Sequence, residues 1–447
     1  MSLRIEQLSY RYPNGETAVI DRLSLEVAAG RKLVITGPTG CGKSTLLRLI
    51  VGSLQRHGQG QVGGEVHWND RLMTALQPHE RAKAVARVAQ QPKDQILSQR
   101  VDEELAFGMS AIGCTAAEQR AAIQPLLEQV QLLVSPERHP NSLSGGQLQR
   151  LMIASALATE SEILCLDEPL AHLDLHGTQT LLELLTQLSD LGVIVIMVEH
   201  RLSLCADWAD LVFVMSEGRL KPIDSNELPP KAGHELIVSH PPQMDRQVIW
   251  EDNHMSWAYP KGPFIFEAQE LTLYKGEWVA IEGVNGAGKS SLLRYLEKHP
   301  KGCRLLVLPQ DPSLCLFSDT VMDELAYGPR AWGMENHQDW IETVADALGI
   351  TELLDRAPLS LSSGQQLRVA LGAILACKPE IIGLDEPTVG QDHAHVVSIL
   401  EAIVALAPHA TVVISTHDER LLGGAMDRHI QIGDGQFNLV KSPRRQP

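Results

Sequence analysis

The sequence of 447 residues has no long apolar run, and this lack limits how it can meet a membrane. Its strongest apolar stretch, 193–198, is far shorter than the roughly 20 residues that a membrane-spanning helix needs. The first residues, MSLRIEQLSYRYP, also lack the apolar segment of a secretory signal. We therefore expect a soluble protein, or one that attaches to a membrane only through a partner.

Paired cysteines and excess positive charge are also missing. The seven cysteines form no CxxC pair, which favours reduced thiols in a cytosol-like compartment and disfavours a zinc or iron–sulfur site. The 55 acidic residues outnumber the 38 lysines and arginines, giving a net charge of −17. A surface of this sign disfavours nucleic acid as a general partner, although local basic patches are compatible with it.

The sequence does contain an internal repeat. VITGPTGCGKSTLLRLI (34–50) recurs as AIEGVNGAGKSSLLRYL (280–296), and ILCLDEPLAHLD (163–174) recurs as IIGLDEPTVGQD (381–392). Such self-similarity, together with the length, predicts two domains that share one plan. We place them at 1–222 and 246–447, joined by a polar, proline-rich linker at 223–245.

The local pattern is that of an α/β fold. Short β-branched runs such as LVITG (33–37) alternate with helical stretches, which predicts a mainly parallel sheet with ligands at the carboxyl ends of its strands. About 26 residues around GGEVHWNDRLM (63–73) have no counterpart in the second half. Their alternating apolar pattern predicts a half-buried hairpin. We therefore expect an antiparallel β part that is reduced in the second domain.

Each half carries the pattern G-x-x-x-x-G-K-[ST] between a predicted strand and a predicted helix. Backbone N–H groups of such a loop surround phosphate oxygens, the lysine reaches the β- and γ-phosphates, and the serine ligates Mg²⁺. A plain glycine turn could explain one match, but hardly two with matching downstream motifs. The predicted nucleotide-binding residues are Gly37, Gly40, Gly42, Lys43, Ser44 and Thr45, and then Gly283, Gly286, Gly288, Lys289, Ser290 and Ser291.

An acidic pair ends a predicted strand in each half. Asp167 and Asp385 are placed to hold Mg²⁺ through water, and the neighbouring Glu168 and Glu386 are placed to polarise an attacking water as general bases. A solvated turn is the alternative interpretation. The position of each pair, well downstream of its loop lysine, disfavours that alternative.

A histidine and a glutamine also recur. His200 and His417 end the next predicted strands, and Gln90 and Gln310 lie 220 residues apart. One such histidine or loop glutamine alone would more often be structural. Because both recur, we predict that the histidines contact the γ-phosphate or the attacking water, and that the glutamines contact Mg²⁺ or water.

LSGGQ and LSSGQ open two further predicted helices. A Ser–Gly helix start offers an N-cap hydroxyl and free N–H groups to an anion. Because each half already has a phosphate loop, this second anion site must make a different phosphate contact. Its predicted residues are Ser144, Gly145, Gly146 and Gln147 in the first half, and Ser362, Gly364 and Gln365 in the second.

With these motifs together, nearly the whole chain resembles the ATP-binding-cassette ATPases in two tandem copies. The resemblance implies two P-loop ATP-binding-cassette domains, each with a mainly parallel sheet core, an antiparallel β part and a helical signature subdomain. It implies ATP hydrolysis with Mg²⁺, and it places Tyr12 and Tyr259 where that family stacks an aromatic ring on adenine. A surface tyrosine near a strand is the alternative for each of these two residues.

The resemblance also implies that the halves pair head to tail around two ATP molecules. Each site would combine the phosphate loop of one half with the signature helix of the other, and Asp174 and Asp392 would communicate across the interface. Ser363 stands where the first copy has Gly145. A left-handed backbone there would cost serine about 1–2 kcal/mol and hinder closure of the site that contains Lys43, whereas a helical backbone would cost little. On this basis we expect two competent but unequal sites.

Two segments of the sequence favour one branch of the family over the others. QQPKDQILSQRVDEELAFG (90–108) and PQDPSLCLFSDTVMDELAYG (309–328) resemble ATPase subunits of energy-coupling-factor importers, which take up vitamins and transition-metal ions. The second copy departs from that pattern at Ser313 and Leu314. This resemblance implies an integral membrane coupling subunit and a membrane substrate-binding subunit as partners. It also implies a peripheral place at the cytoplasmic face of the cell membrane, with one copy per transporter and no nucleic acid.

Three alternatives stay open from the sequence. The chain could be the ATPase of another importer or exporter, a soluble tandem cassette protein that acts on ribosomes, or a relative that binds ATP without hydrolysing it. The short, weakly basic linker and the net charge of −17 disfavour the ribosomal alternative. The presence of both lysines, both glutamates and both histidines disfavours the binding-only alternative.

Overall fold

The chain divides into two compact units, Met1–Ala232 and Gly233–Pro447. The predicted linker at 223–245 lies outside the described residues except for its first position. The computed structural model describes residues 2–13, 15, 17–56, 60–171, 173, 175–223, 247–260, 262, 264–284, 286–335, 337–388, 393–416, 421, 426–433 and 435–440.

The first unit contains a mainly parallel sheet and a separate antiparallel sheet. Its strands are β1 (Ser2–Arg11), β2 (Ile20–Ala28), β3 (Lys32–Thr36), β4 (Gln61–Trp68), β5 (Arg71–Leu72), β6 (Val85–Val88), β7 (Ile163–Asp167), β8 (Ile194–Val198), β9 (Leu211–Ser216) and β10 (Arg219–Pro222). The mainly parallel sheet has the order β10-β9-β3-β8-β7-β6, with β10 antiparallel at one edge. The antiparallel sheet has the order β2-β1-β4-β5.

The described part of the first unit also contains helices. They are α1 (Lys43–Val51), α2 (Ser53–Arg56), α3 (Pro78–Ala84), α4 (Val101–Ala111), α5 (Ala116–Gln129), α6 (Gly145–Leu157), α7 (Leu175–Asp190) and α8 (Leu202–Cys205). Helix α1 begins at Lys43, within the first phosphate-loop motif, and α6 begins directly after Ser144 of LSGGQ, as the sequence predicts.

The second unit repeats this plan. Its strands are β11 (Val248–Ala258), β12 (Phe264–Tyr274), β13 (Trp278–Glu282), β14 (Leu305–Leu308), β15 (Ile381–Asp385), β16 (Thr411–Ser415), β17 (Arg428–Gly433) and β18 (Gln436–Val440). Its helices are α9 (Lys289–Lys298), α10 (Val321–Ala331), α11 (Gln338–Ala347), α12 (Ser363–Ala376) and α13 (His393–Leu406). The sheet order β14-β15-β16-β13-β17-β18 is the order of the first unit, strand for strand.

The cores form on both faces of these sheets because successive side chains of a strand point to opposite sides. In β3, Leu33 and Ile35 join a buried cluster with Leu46 of α1, whereas Val34 joins one with Leu151 of α6. The second unit has the same two clusters, one on each face of its sheet. This arrangement leaves the carboxyl ends of the strands to carry the predicted site residues.

The predicted hairpin around 63–73 is confirmed as β4 and β5, which pair antiparallel. Among the described residues of the second unit, the separate antiparallel sheet consists of β11 and β12, so the predicted reduction is also confirmed. In this unit the ring of Tyr295 on α9 lies 6.0 Å from that of Trp257 and 5.8 Å from that of Phe266, in edge-to-face contacts. Within the described part of the chain, no helix combines the length and apolarity needed to cross a membrane.

Candidate functional site

Both phosphate-loop motifs form the predicted strand–loop–helix turns, from β3 to α1 and from β13 to α9. The first glycine of each loop has positive φ, +146° at Gly37 and +154° at Gly283. A Cβ atom on Gly37 would lie 2.2 Å from the carbonyl oxygen of Met215, and one on Gly283 would lie 2.5 Å from that of Ile432. Both positions therefore require glycine. The remaining motif glycines also have positive φ: Gly40, Gly42, Gly286 and Gly288.

The motif lysines are buried and point into their own loops. Lys43 Nζ donates to the carbonyl oxygens of Gly37 at 2.7 Å and Pro38 at 2.9 Å, and Lys289 Nζ donates to that of Gly283 at 2.8 Å. A Cβ atom built at Gly40 would contact nothing within 4 Å, so the loop is open on that side. A loop with an open side and a buried ammonium fits the terminal phosphates of ATP.

The two predicted adenine-stacking tyrosines occupy matching places. Tyr12 Oη lies 3.0 Å from Thr45 Oγ1, and Tyr259 Oη lies 3.2 Å from Ser291 Oγ. Thr45 and Ser291 both follow the serine of the phosphate-loop motif. The structure therefore places each ring beside its own phosphate loop.

In the first unit, three predicted catalytic residues meet at Glu168. Gln90 Nε2 donates to Glu168 Oε2 at 2.8 Å, and His200 Nε2 lies 3.0 Å from Glu168 Oε1. Both carboxylate oxygens are thus held by donors, provided that His200 carries its proton on Nε2. A carboxylate oriented in this way fits the predicted role of positioning and polarising a water.

Two of the three predicted magnesium ligands of the first unit, Ser44 and Asp167, are also in contact. Ser44 Oγ donates to Asp167 Oδ1 at 3.0 Å, at the point where α1 begins and β7 ends. Hydroxyl and carboxylate oxygens are the ligands that Mg²⁺ prefers. Ser44 and Asp167 therefore fit the ion, whose role when bound is to neutralise the charge on the phosphates, whereas the side chain of Gln90 donates to Glu168.

The second unit places its counterparts similarly but not identically. Lys289 Nζ lies 3.6 Å from Glu386 Oε1, and Ser290 hydrogen-bonds to Asp385. Burial raises the pKa of Asp385, while hydrogen bonds from Ser415 and Ser290 act in the opposite sense. Gln310 lies just after β14, exposed, at the position that matches Gln90. His417 lies outside the described residues, as do Asp174 and Asp392.

The two signature motifs cap their helices with the same pair of hydrogen bonds. Ser144 Oγ accepts from Gln147 N at 3.3 Å, and Gln147 Oε1 accepts from Ser144 N at 3.1 Å. Ser362 and Gln365 repeat this pair at 3.4 and 3.1 Å. The glutamine side chains therefore belong to a capping box, a role that the sequence reasoning missed. The start of each helix, including Gly145 and Ser363, is exposed.

Ser363 is the first residue of α12 and does not have a left-handed backbone. The left-handed case, in which serine would have cost about 1–2 kcal/mol, therefore does not apply. Inequality of the two sites therefore needs a different cause.

Sequence reasoning also missed three polar residues that contact the site. Arg87 Nη2 lies 2.7 Å from Asp167 Oδ2, and Ser415 Oγ donates to Asp385 Oδ1. Glu199 is buried and accepts from the backbone N–H groups of Leu170 at 3.2 Å and His200 at 2.9 Å. Arg87 and Glu199 could have been noticed in the sequence, because each is a charged residue inside or directly after an apolar strand. Nothing in the local pattern pointed to Ser415.

Comparison with known proteins identifies the family. A family model described as ABC transporter matches residues 20–171 and again 266–389, together more than half of the chain. The chain belongs to the ABC transporter family. As an ABC ATPase with two cassettes, it binds ATP with Mg²⁺ and hydrolyses ATP.

Relatives of this ABC ATPase match nearly its full length. A candidate ABC transporter ATP-binding protein of Methanosarcina acetivorans is 30% identical over 98% of this chain and 85% of its own. Another, from Treponema denticola, is 27% identical over 97% of this chain and 96% of its own.

Solved structures with two cassettes share the fold. The archaeal ribosome recycling factor aABCE1, in complex with the stalk protein aP1, is 22% identical with a TM-score of 0.62, covering 95% of this chain and 87% of that one. A chain in a model of ribosome-bound archaeal Pelota and ABCE1 is also 22% identical with a TM-score of 0.70, covering 95% of this chain and 76% of that one. At such identity, these likenesses show the fold alone.

Proposed function

We propose that this chain is the fused ATPase motor of an energy-coupling-factor type importer. It drives uptake of a small solute, of the vitamin or transition-metal ion class, through a membrane partner at the cytoplasmic face of the cell membrane. Each ATP is held by the phosphate loop of one half and the signature helix of the other. The first site combines Lys43, Ser44, Gln90, Asp167, Glu168 and His200 with Ser362, Gly364 and Gln365. The second combines Lys289, Ser290, Gln310, Asp385, Glu386 and His417 with Ser144, Gly145, Gly146 and Gln147.

The observation that carries the importer role is an exposed apolar pair that occurs in both units. Leu97 is 68% and Phe107 58% exposed, and their counterparts 220 residues later, Phe317 and Tyr327, are 62% and 56% exposed. The rings of Phe317 and Tyr327 lie 4.7 Å apart, edge to face. All four residues belong to the two segments that resemble energy-coupling-factor ATPases. Large apolar side chains exposed twice at matching places favour a docking surface.

A buried glutamate organises the chain beside each pair. Glu104 Oε2 accepts from the backbone N–H groups of Leu97 at 3.0 Å and Ser98 at 2.8 Å. Glu324 Oε2 accepts from those of Phe317 and Ser318, both at 2.8 Å. Because these bonds fix the backbone, Leu97 and Phe317 are held outward instead of collapsing onto the protein. A preorganised apolar surface suits a helix of a membrane subunit.

The main alternative is action on ribosomes, because the structures with the same tandem fold include ribosome-associated ABCE1. Those structures are 22% identical in sequence to this chain, so the similarity shows the fold alone. A net charge of −17 disfavours binding to RNA. The paired apolar side chains favour a helix of a membrane protein over a phosphate backbone.

The test is to express the chain with the products of its neighbouring genes and to separate membranes from ribosomes by flotation. We expect the chain to float with a membrane complex. The double substitution Phe107→Ser and Tyr327→Ser is expected to release it while leaving ATPase activity of the free chain intact. Leu191→Ser, which removes a leucine elsewhere that is 75% exposed, is the control. Sedimentation with ribosomes, free of membranes, would overturn the importer proposal in favour of the alternative.

A further inference from the structure

The two units differ at the strand beside their predicted magnesium carboxylate. In the first unit, Arg87 of β6 pairs in register with Cys165 of β7, two residues before Asp167. In the second, Val307 of β14 pairs with Gly383 of β15, two residues before Asp385. The same place in the fold thus holds a cation in one unit and an apolar side chain in the other.

Arg87 is positioned toward Asp167. Its Nη2 lies 2.7 Å from Asp167 Oδ2, and the Asp167 side chain is only 2% exposed. Asp167 Oδ1 accepts from Ser44 Oγ at 3.0 Å, so both carboxylate oxygens are engaged. Arg87 Nε is buried and has no hydrogen-bond partner among the described residues. The carboxylate of Asp167 is therefore the contact that fixes the guanidinium.

The hydrogen bonds to Asp385 come from neutral hydroxyl groups instead. Its Oδ1 accepts from Ser415 Oγ, and Ser290 also hydrogen-bonds to it. Ser415 pairs in register with Asp385, and the residue that pairs with Asp167 in the first unit is Val198. Around the matched carboxylate, the first unit therefore has Arg87 and Val198, whereas the second unit has Val307 and Ser415.

We propose that Arg87 makes the two magnesium sites unequal. In the first unit a guanidinium is in direct contact with Asp167, whereas Asp385 has no ion-pair partner among the described residues and the charge of Lys289 acts on it without such a contact. A fixed cation 2.7 Å from a carboxylate opposes the approach of a second, divalent one to that carboxylate. The first site therefore binds the divalent ion more weakly and retains ATP better when the ion is scarce. The inference rests on the proposed assignment of Asp167 and Asp385 as magnesium carboxylates.

The test measures Mn²⁺ binding by electron paramagnetic resonance in the full chain, with a non-hydrolysable ATP analogue present. Lys289→Ala disables nucleotide binding at the second site, so that Mn²⁺ binding at the first site is measured alone. Lys43→Ala does the reverse. We expect the first site to bind Mn²⁺ about tenfold more weakly than the second. Fluorescent ATP without divalent ion is expected to remain longer at the first site.

Exchanging the two matched residues sharpens this test. Arg87→Val is expected to tighten Mn²⁺ binding at the first site to the level of the second, and Val307→Arg to weaken it at the second by a similar factor. Lys83→Ala, which removes a cation that pairs with Glu160 at the surface, is the control and should change neither site. If Arg87→Val does not fold, Val307→Arg still decides the question.

Three results would overturn the inference. One is equal Mn²⁺ affinity at the two sites. Another is a fall in thermal stability of Arg87→Val with unchanged Mn²⁺ affinity, which would make the arginine a structural partner only. The third is Asp167→Asn without any effect on Mn²⁺, which would show that the carboxylate assignment itself is wrong. The importer proposal stands or falls separately, because its test reads membrane association.

Discussion

At the scale of single residues, the two predicted general bases have an uncommon backbone. Glu168 and Glu386 both have φ of +50°, in the left-handed region that side chains other than glycine rarely adopt. Each is held there by a hydrogen bond from its own N–H, to the carbonyl oxygen of Val198 or of Ser415, at 2.9 Å in both units. Strain of this kind costs about 1–3 kcal/mol and concentrates at functional sites. Its recurrence favours a catalytic role for both glutamates.

Replacing these carboxylates tests that role. Glu168→Gln and Glu386→Gln keep the shape of the side chain but remove the base, so each is expected to lower steady-state ATP hydrolysis by about a hundredfold or more at its own site. ATP should remain trapped at that site. Single-turnover hydrolysis and retained radiolabelled ATP measure both effects. Near-normal turnover in both single variants would contradict the assignment of the general base.

Ser363 is the second residue-scale case. Because it is the first residue of a helix, Ser363→Gly relieves no strain. We expect the rate of the site that contains Lys43, measured in a Glu386→Gln background, to change by less than about twofold. Gly145→Ser in a Glu168→Gln background is the matched control for the opposite helix. A large acceleration by Ser363→Gly would mean that serine hinders closure of its site after all.

At the scale of elements, α9 of the second unit has a tyrosine at its buried face. Burial, together with the hydrogen bond that Tyr295 Oη donates to Asp252 Oδ2 at 2.9 Å, raises the pKa of Tyr295 to about 12. The folded state therefore keeps a proton that the unfolded chain releases near pH 10. This contribution to stability is complete below pH 10 and is lost as the pH rises toward 12.

Tyr295→Phe should remove this pH dependence. The free energy of unfolding of the second unit, from urea titrations at pH 9, 10 and 11, is expected to fall more steeply for the parent protein than for the variant. The difference between the two therefore shrinks as the pH rises. A constant difference across the three pH values would show that the hydroxyl of Tyr295 does not titrate as its surroundings imply.

The elements themselves were largely predictable from sequence. Strands such as β7 and β8 are short apolar runs, and the phosphate loops are glycine patterns. The hairpin of β4 and β5 alternates apolar and polar residues. These features are local, so the sequence displays them directly. The capping boxes of α6 and α12 are also local, as an S-x-x-Q pattern, and could have been recognised.

The contacts between elements were not predictable in the same way. The Arg87–Asp167 ion pair joins residues that are 80 positions apart and depends on the register of β6 against β7. The Ser415–Asp385 hydrogen bond depends likewise on the register of β15 against β16. A single sequence shows which side chains exist, but register comes from packing of the whole sheet. The asymmetry of the two sites therefore appeared only in the structure.

At the scale of the whole molecule, the repeat gives one chain two copies of every predicted ATP-site motif. Each unit has its own sheet, phosphate loop, signature helix and apolar pair, in the same order. We propose that a single chain therefore replaces the two ATPase subunits that a transporter otherwise needs.

The most direct test of this claim is the number of ATP molecules that one chain occludes. The double variant Glu168→Gln and Glu386→Gln is loaded with ATP and Mg²⁺, freed of unbound nucleotide, and analysed for bound ATP and for molar mass by light scattering. We predict two ATP molecules per chain in a particle that contains one chain. One ATP per chain, or two ATP molecules held only when two chains associate, would contradict the claim.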